Sequence, residues 1–149
     1  MNRDLALLIL RLSGLGLAAA HGWSKFTSLS TGGGERFIAG VAALGFPVPV
    51  VFAWAAALSE SVGGLCVTLG LGTRVASGFA AATMFVAAFV RHKAHAHLAV
   101  NLGLMQASEE TLKAWGNPEL ALMYLGAFVT IALTGPGRFA LDALFGRKR

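Results

Sequence analysis

Four long apolar runs, set off by short polar breaks rich in glycine and proline, give this chain its rhythm. They cover about residues 5–26, 48–71, 75–92 and 118–135, and each carries the small residues and length of a helix. Crossing the hydrocarbon core of a bilayer takes ~20 helical residues, with ~17 workable. The first two runs meet that need; the last two are short and must recruit flanking residues or sit where the bilayer thins. The breaks read as helix punctuation. Gly45-Phe46-Pro47-Val48-Pro49 leads into the second run, with proline suited to a first helical turn. Gly70-Leu71-Gly72-Thr73 turns the chain into the third run, Asn117-Pro118-Glu119 opens the fourth, and Gly135-Pro136-Gly137 closes it. Ser108-Glu109-Glu110 reads as an N-cap followed by first-turn acids. A short extra helix ending near Trp115 is therefore expected between spans three and four. The expected fold is all-α, an antiparallel transmembrane four-helix bundle, with residues 1–149 as one domain.

Arg11, His21, Lys25 and Glu60 stand inside the first two runs. Ionisable groups at such depth are costly, and membrane proteins that keep them usually use them. At 1.5 Å per residue, Arg11 lies ~10 Å in from Asp4, and Glu60 lies ~18 Å from Gly72. Those heights fall within one side chain's reach, and a deep carboxylate needs a cationic partner to stay charged. The expectation is an Arg11–Glu60 ion pair. Helical spacing puts Arg11, Gly14, Ala18, Gly22 and Lys25 on one stripe, and Ala53, Ala56, Ala57, Glu60 and Gly64 on another. Matching stripes are Ser77, Ala81 and Ala88 on the third run, and Glu119, Met123, Gly126 and Thr130 on the fourth. Antiparallel threading then gathers His21, Lys25, His92 and Glu119 at one end, as the mouth of an interior site. The purely structural alternative is that Lys25 snorkels, Glu119 complements a helix N-terminus, and Arg11–Glu60 pins register.

Composition agrees with lipid. Of 149 residues, 56% are hydrophobic and only 13% charged, against about a quarter in soluble domains. The net charge of +5 does not signal nucleic acid, because the basic residues flank apolar runs and form no patch with interleaved aromatics. Asn2-Arg3, Leu5 to Leu10 and Ala18-Ala19-Ala20 outline a secretory signal, but Arg11 interrupts its apolar stretch, so cleavage is not expected. Arg3, Arg74, Arg138, Arg147, Lys148 and Arg149 share one side of an even-numbered bundle; Lys25, Arg36, Arg91, Lys93 and Lys113 share the other. Six against five, with a dense basic tail, places both termini in the cytoplasm. His92, His95 and His97 raise metal binding, yet no framing motif accompanies them and no metal is expected. Cys66 has no partner for an intramolecular disulfide. No phosphate loop or nucleophile elbow appears.

The ordered set of Leu10-Arg11-Leu12, His21-Gly22, Lys25-Phe26, Gly45-Phe46-Pro47 with Pro49, Glu60, Gly63-Gly64-Leu65 and Gly70-Leu71-Gly72-Thr73-Arg74 is distinctive. His92, Asn117-Pro118-Glu119, Gly135-Pro136-Gly137-Arg138-Phe139 and Leu141-Asp142 continue it. On these residues the chain resembles the DoxX family of small four-helix membrane proteins, across nearly its whole length. The resemblance implies a multi-pass protein of the bacterial or archaeal inner membrane. It also implies similarity to the membrane subunit of a thiosulfate:quinone oxidoreductase, and to members that scaffold oxidative-stress enzymes. The histidine-richer stretch from His92 to His97 departs from the family pattern.

The favoured function is a redox-linked, quinone-interacting membrane subunit. Arg11, His21, Lys25 and Glu60 are its candidate catalytic residues, and His92 and Glu119 its candidate binding residues at the outer mouth. Electrons would then come from a soluble or membrane redox partner. The alternative is a non-catalytic membrane adaptor for a soluble redox or oxidative-stress enzyme. Transport ranks last, since no broken-helix repeat pair is visible. Glycine- and alanine-rich faces are compatible with a homo-oligomer.

Overall fold

The computed structural model describes residues 2–145. Met1 and residues 146–149 lie outside the described residues, and with them Arg147, Lys148 and Arg149, on which the orientation reading leans. Helix α1 spans Asn2–Ser30, α2 Glu35–Ala43, α3 Pro49–Leu69 and α4 Thr73–Arg91. Then follow α5 (Ala94–Asn101), α6 (Glu109–Trp115), α7 (Glu119–Thr134) and α8 (Leu141–Phe145). The described residues form an all-helical fold with four helices long and apolar enough to cross a membrane. Helices α1, α3 and α4 have 29, 21 and 19 residues. The 16 residues of α7 are extended by α6, so that Glu109–Thr134 together run 26. Ser108 caps α6 as its sequence suggests, its Oγ accepting from the Thr111 N–H at 3.2 Å. Helices α2, α5 and α8 were not expected; at 9, 8 and 5 residues they are too short to register as spanning runs.

Small residues line the helix crossings, and many large apolar side chains face outward. Ile9, Val75 and Met123 face outward at 61%, 67% and 74% exposure, where acyl chains would cover them. Ala53, Ala57, Ala80 and Ala88 are fully buried. Helices α1 and α3 meet on glycine: a Cβ at Gly14 would strike the Gly64 carbonyl, and one at Gly22 the backbone of Glu60 and Ser61. Backbones approach this closely only where side chains are missing, which is how helices pack without a hydrophobic drive between them. A cluster of Leu17, Val67, Ala80, Met84, Phe128 and Ile131 fills the space between α1, α3, α4 and α7.

Three of the four expected seams face inward, namely those of α1, α3 and α4. The fourth is corrected. Ala121, Phe128 and Ile131 are the buried face of α7, while Glu119, Met123, Gly126 and Thr130 are exposed. Thr130 Oγ1 donates to its own helix at Gly126 O (2.8 Å), so that stripe needs no neighbour to satisfy its hydroxyl.

After α7 the chain doubles back beneath the bundle. The Arg138 N–H donates to Asp4 Oδ1 at 3.0 Å, and the Asp142 N–H to Gly70 O at 2.8 Å. The Asp142 carboxylate accepts from the Gly72 and Thr73 N–H groups at 2.8 Å and from Thr73 Oγ1 at 2.7 Å. It thus caps α4 from the far end of the sequence. Burial pushes its pKa up, but the three donors and the Arg11 charge outweigh that and hold it below the ordinary value. A depressed carboxylate adds stability above its unfolded pKa of about 3.9 and loses it as pH falls through the lower folded value. Asp142→Asn is expected to lower the melting temperature at pH 7 and to narrow that deficit below about pH 4. Melting curves in detergent across that range check it; a deficit unchanged down to pH 3 would refute it.

Candidate functional site

Three of the spanning helices contain a π-turn, at Ala18–Gly22, Ser59–Gly63 and Val86–Arg91. Such turns widen a helix locally, re-aim side chains and recur at functional sites. His21, Glu60 and Arg91 lie on them. Glu60 is almost completely buried, and its carboxylate receives two hydrogen bonds from Lys25 Nζ at 2.6 and 2.7 Å. The Lys25 ammonium also stands 5.3 Å from the centre of the Phe37 ring on α2, a cation–π contact.

The expected Arg11–Glu60 pair is therefore overturned: Lys25 is the partner of Glu60. The reason is height as well as direction. Every Cα–Cβ bond tilts toward its own helix N-terminus. On antiparallel α1 and α3, Arg11 and Glu60 lean apart, whereas Lys25 and Glu60 lean toward each other. Packing also sets Gly22, not Arg11, against Glu60. Arg11 and Gly22 are 11 residues apart, or ~16 Å along the axis.

Arg11 instead sits fully buried at the end carrying the termini, where Nη2 donates to Phe139 O. Its Nε and Nη1 have no protein acceptor among the described residues. His21 is half-buried and edge-on to Tyr124 of α7, with ring centres 6.5 Å apart. Glu119 is exposed and bonded to Asn117, whose Oδ1 accepts the Glu119 N–H at 2.8 Å. Of the six candidates, Lys25, Glu60 and His92 line a common space; Arg11, His21 and Glu119 do not.

That space is a cavity of about 500 Å³ between α2, α3 and α4. Phe37, Phe46, Phe52 and Phe79 contribute aromatic walls, with Ala56 and Ala82 between them. Lys25 and Glu60 supply charge beside Ser59 and Thr83, whose hydroxyls are hydrogen-bonded at 3.1 Å. Arg91 and His92 complete the lining. Thr83 and Arg91 are eight residues apart on α4, which separates the two polar groups by ~12 Å. Arg91 donates to the carbonyls of Ala114 and Trp115 at 3.2 and 3.3 Å. His92 Nδ1 lies 2.8 Å from Trp115 O and must donate there, since a carbonyl only accepts. Sequence reasoning missed the aromatic wall because α2 itself went unseen, and Arg91 because it was counted only for orientation.

Residues 6–93 match the family model described as DoxX. The chain is 28% identical over 145 residues to "Inner membrane protein YqjF" of Escherichia coli (strain K12), covering 97% of this chain and 95% of the relative. No solved structure matches it. The matched region holds Arg11, His21, the Lys25–Glu60 pair and every wall of the cavity. With more than half its length inside that match and four helices built to cross a bilayer, this multi-pass membrane protein belongs to the DoxX family.

Proposed function

We propose that the protein is a redox-linked membrane subunit that binds a quinone in the cavity between α2, α3 and α4. The observation that carries the reading is a hydrogen-bonded Lys25–Glu60 pair lining an apolar, aromatic-walled hollow of about 500 Å³. That volume lies within the range of small-molecule sites, which combine apolar walls with a few placed polar groups. A quinone is a flat apolar ring with two carbonyl oxygens. Phe37, Phe52 and Phe79 suit the ring, and the Lys25 ammonium can donate to one oxygen. Reduction adds two electrons and two protons. The electrons come from a soluble or membrane redox partner; Glu60 takes up one proton at a time from water, passes it to a ring oxygen and returns to the carboxylate bonded to Lys25, twice per quinone reduced. Arg11 and His21 then serve packing rather than transfer. We place the protein in the inner membrane, as the name of the Escherichia coli relative suggests, and the basic residues of the sequence favour both termini in the cytoplasm.

Equilibrium binding of a short-tailed quinone to protein in nanodiscs tests the reading. The wild type should bind saturably, and Ala56→Leu, which fills the cavity, should remove binding while leaving the fold intact. Glu60→Gln should slow quinone turnover in membranes. Absence of wild-type binding, or binding indifferent to Ala56→Leu, would favour the adaptor instead.

A further inference from the structure

A second hollow, of about 360 Å³, lies at the opposite end of the bundle, between the first turn of α1 and the segment that doubles back after α7. It is lined by Arg3, Asp4, Leu7, Thr134, Gly137 and Arg138, with Ala143 at its edge. Gly137 adopts φ +76° and lies against Leu7 and Asp4: a Cβ there would stand 3.2 Å from Leu7 and 3.6 Å from Asp4 Oδ1. The Arg3 and Arg138 guanidiniums have no ion pair or hydrogen-bond acceptor among the described residues. Asp4 is anchored by the Arg138 backbone N–H at 3.0 Å. The hollow occupies the level where a spanning helix begins and another ends, which is the headgroup layer of the bilayer.

We propose that this hollow binds the headgroup of an ammonium-bearing phospholipid, a phosphoethanolamine lipid of the leaflet facing the termini. Two guanidiniums without partners among the described residues match the phosphate diester, for which arginine has fitting geometry. One carboxylate beside them matches the ammonium, and Leu7 offers an apolar wall to the glycerol and first methylenes. The site adds to the quinone reading without depending on it, since it shares no residue with the other cavity.

Native mass spectrometry of the detergent-purified protein tests this. Phosphoethanolamine and phosphoglycerol lipids are titrated separately, with inorganic phosphate as a third arm. The wild type should retain phosphoethanolamine lipid in preference to phosphoglycerol lipid. Arg3→Gln/Arg138→Gln should weaken both by about 30-fold, from the loss of two basic groups near a phosphate surface. Asp4→Asn, which keeps an oxygen for the Arg138 N–H, should erase the preference without weakening phosphoglycerol binding. Thermal melts confirm that both variants fold; both arginines are exposed and should be dispensable for folding. Lipid retention unaffected by the double variant would overturn the proposal. So would displacement of lipid by millimolar inorganic phosphate, which would make the site one for a soluble anion. A wild type without preference between the two lipids would overturn the ammonium assignment and the proposal with it.

Discussion

Gly22→Leu is expected to prevent the bundle from closing. The new Cβ would stand 2.5 Å from the Glu60 carbonyl carbon and 2.7 Å from Ser61 Cα. Both are backbone atoms inside a helix, so neither can step aside as a flexible side chain would. Relief requires α1 and α3 to separate where Lys25 bonds Glu60. Overpacking a core commonly costs about 1–3 kcal/mol, and a backbone-on-backbone collision belongs at or above the top of that range. Gly78→Ala and Gly126→Ala are the controls, because nothing lies within 4 Å of a Cβ at either position. Both glycines are in helix interiors, where alanine is favoured by up to about 1 kcal/mol. They should melt at or above the wild-type temperature in detergent. A folded Gly22→Leu protein with an unchanged melting temperature would mean that the α1–α3 crossing is not as tight as described.

That crossing was legible in the sequence. Gly14, Ala18 and Gly22 repeat at one helical turn, as do Ala53, Ala57, Glu60 and Gly64, and a row of absent side chains marks where another helix lies. The same rule failed on α7. There Gly126 and Thr130 make an equally good stripe, but bulky Phe128 and Ile131 on the other face fill the core. A small-residue row says where helices can approach, and it is silent when the neighbour is better packed by large groups. Heights counted from the helix ends put Arg11 and Glu60 too close, because the depth at which α1 and α3 cross, with Gly22 against Glu60, is set by packing. The side-chain lean that separates them further follows from chain direction alone and was available in principle. What the sequence could not give were the three π-turns, whose extra residue per turn leaves no compositional trace. Nor did it disclose Asp142 reaching across the chain to cap α4, a contact that exists only once the bundle has formed.

Lys25→Met and Glu60→Gln are expected to differ sharply in cost, and the difference separates a structural pair from a working one. The Glu60 side chain is 3% exposed and the Lys25 side chain 30%. Removing Lys25 strands a carboxylate among apolar walls, a loss of about 3–5 kcal/mol for a broken buried pair. Removing the Glu60 charge strands an ammonium that can still rest on Phe37 and swing outward along its own stem. That loss should be nearer 1–2 kcal/mol, the order of a charged hydrogen bond. The double variant Lys25→Met/Glu60→Gln should recover most of the stability lost in Lys25→Met, since an apolar or neutral replacement of a whole pair is often close to neutral. Unfolding measured in mild detergent for all four proteins yields the coupling energy directly. Equal losses for the two single variants would mean that Glu60 is far better hydrated than its burial implies. The double variant then becomes the decisive protein for function. If the pair only holds α1 to α3, the double variant regains whatever partner association or activity Lys25→Met lost, in step with its stability. If Glu60 hands protons to a bound quinone, stability returns and turnover does not, because neither methionine nor glutamine can carry the proton.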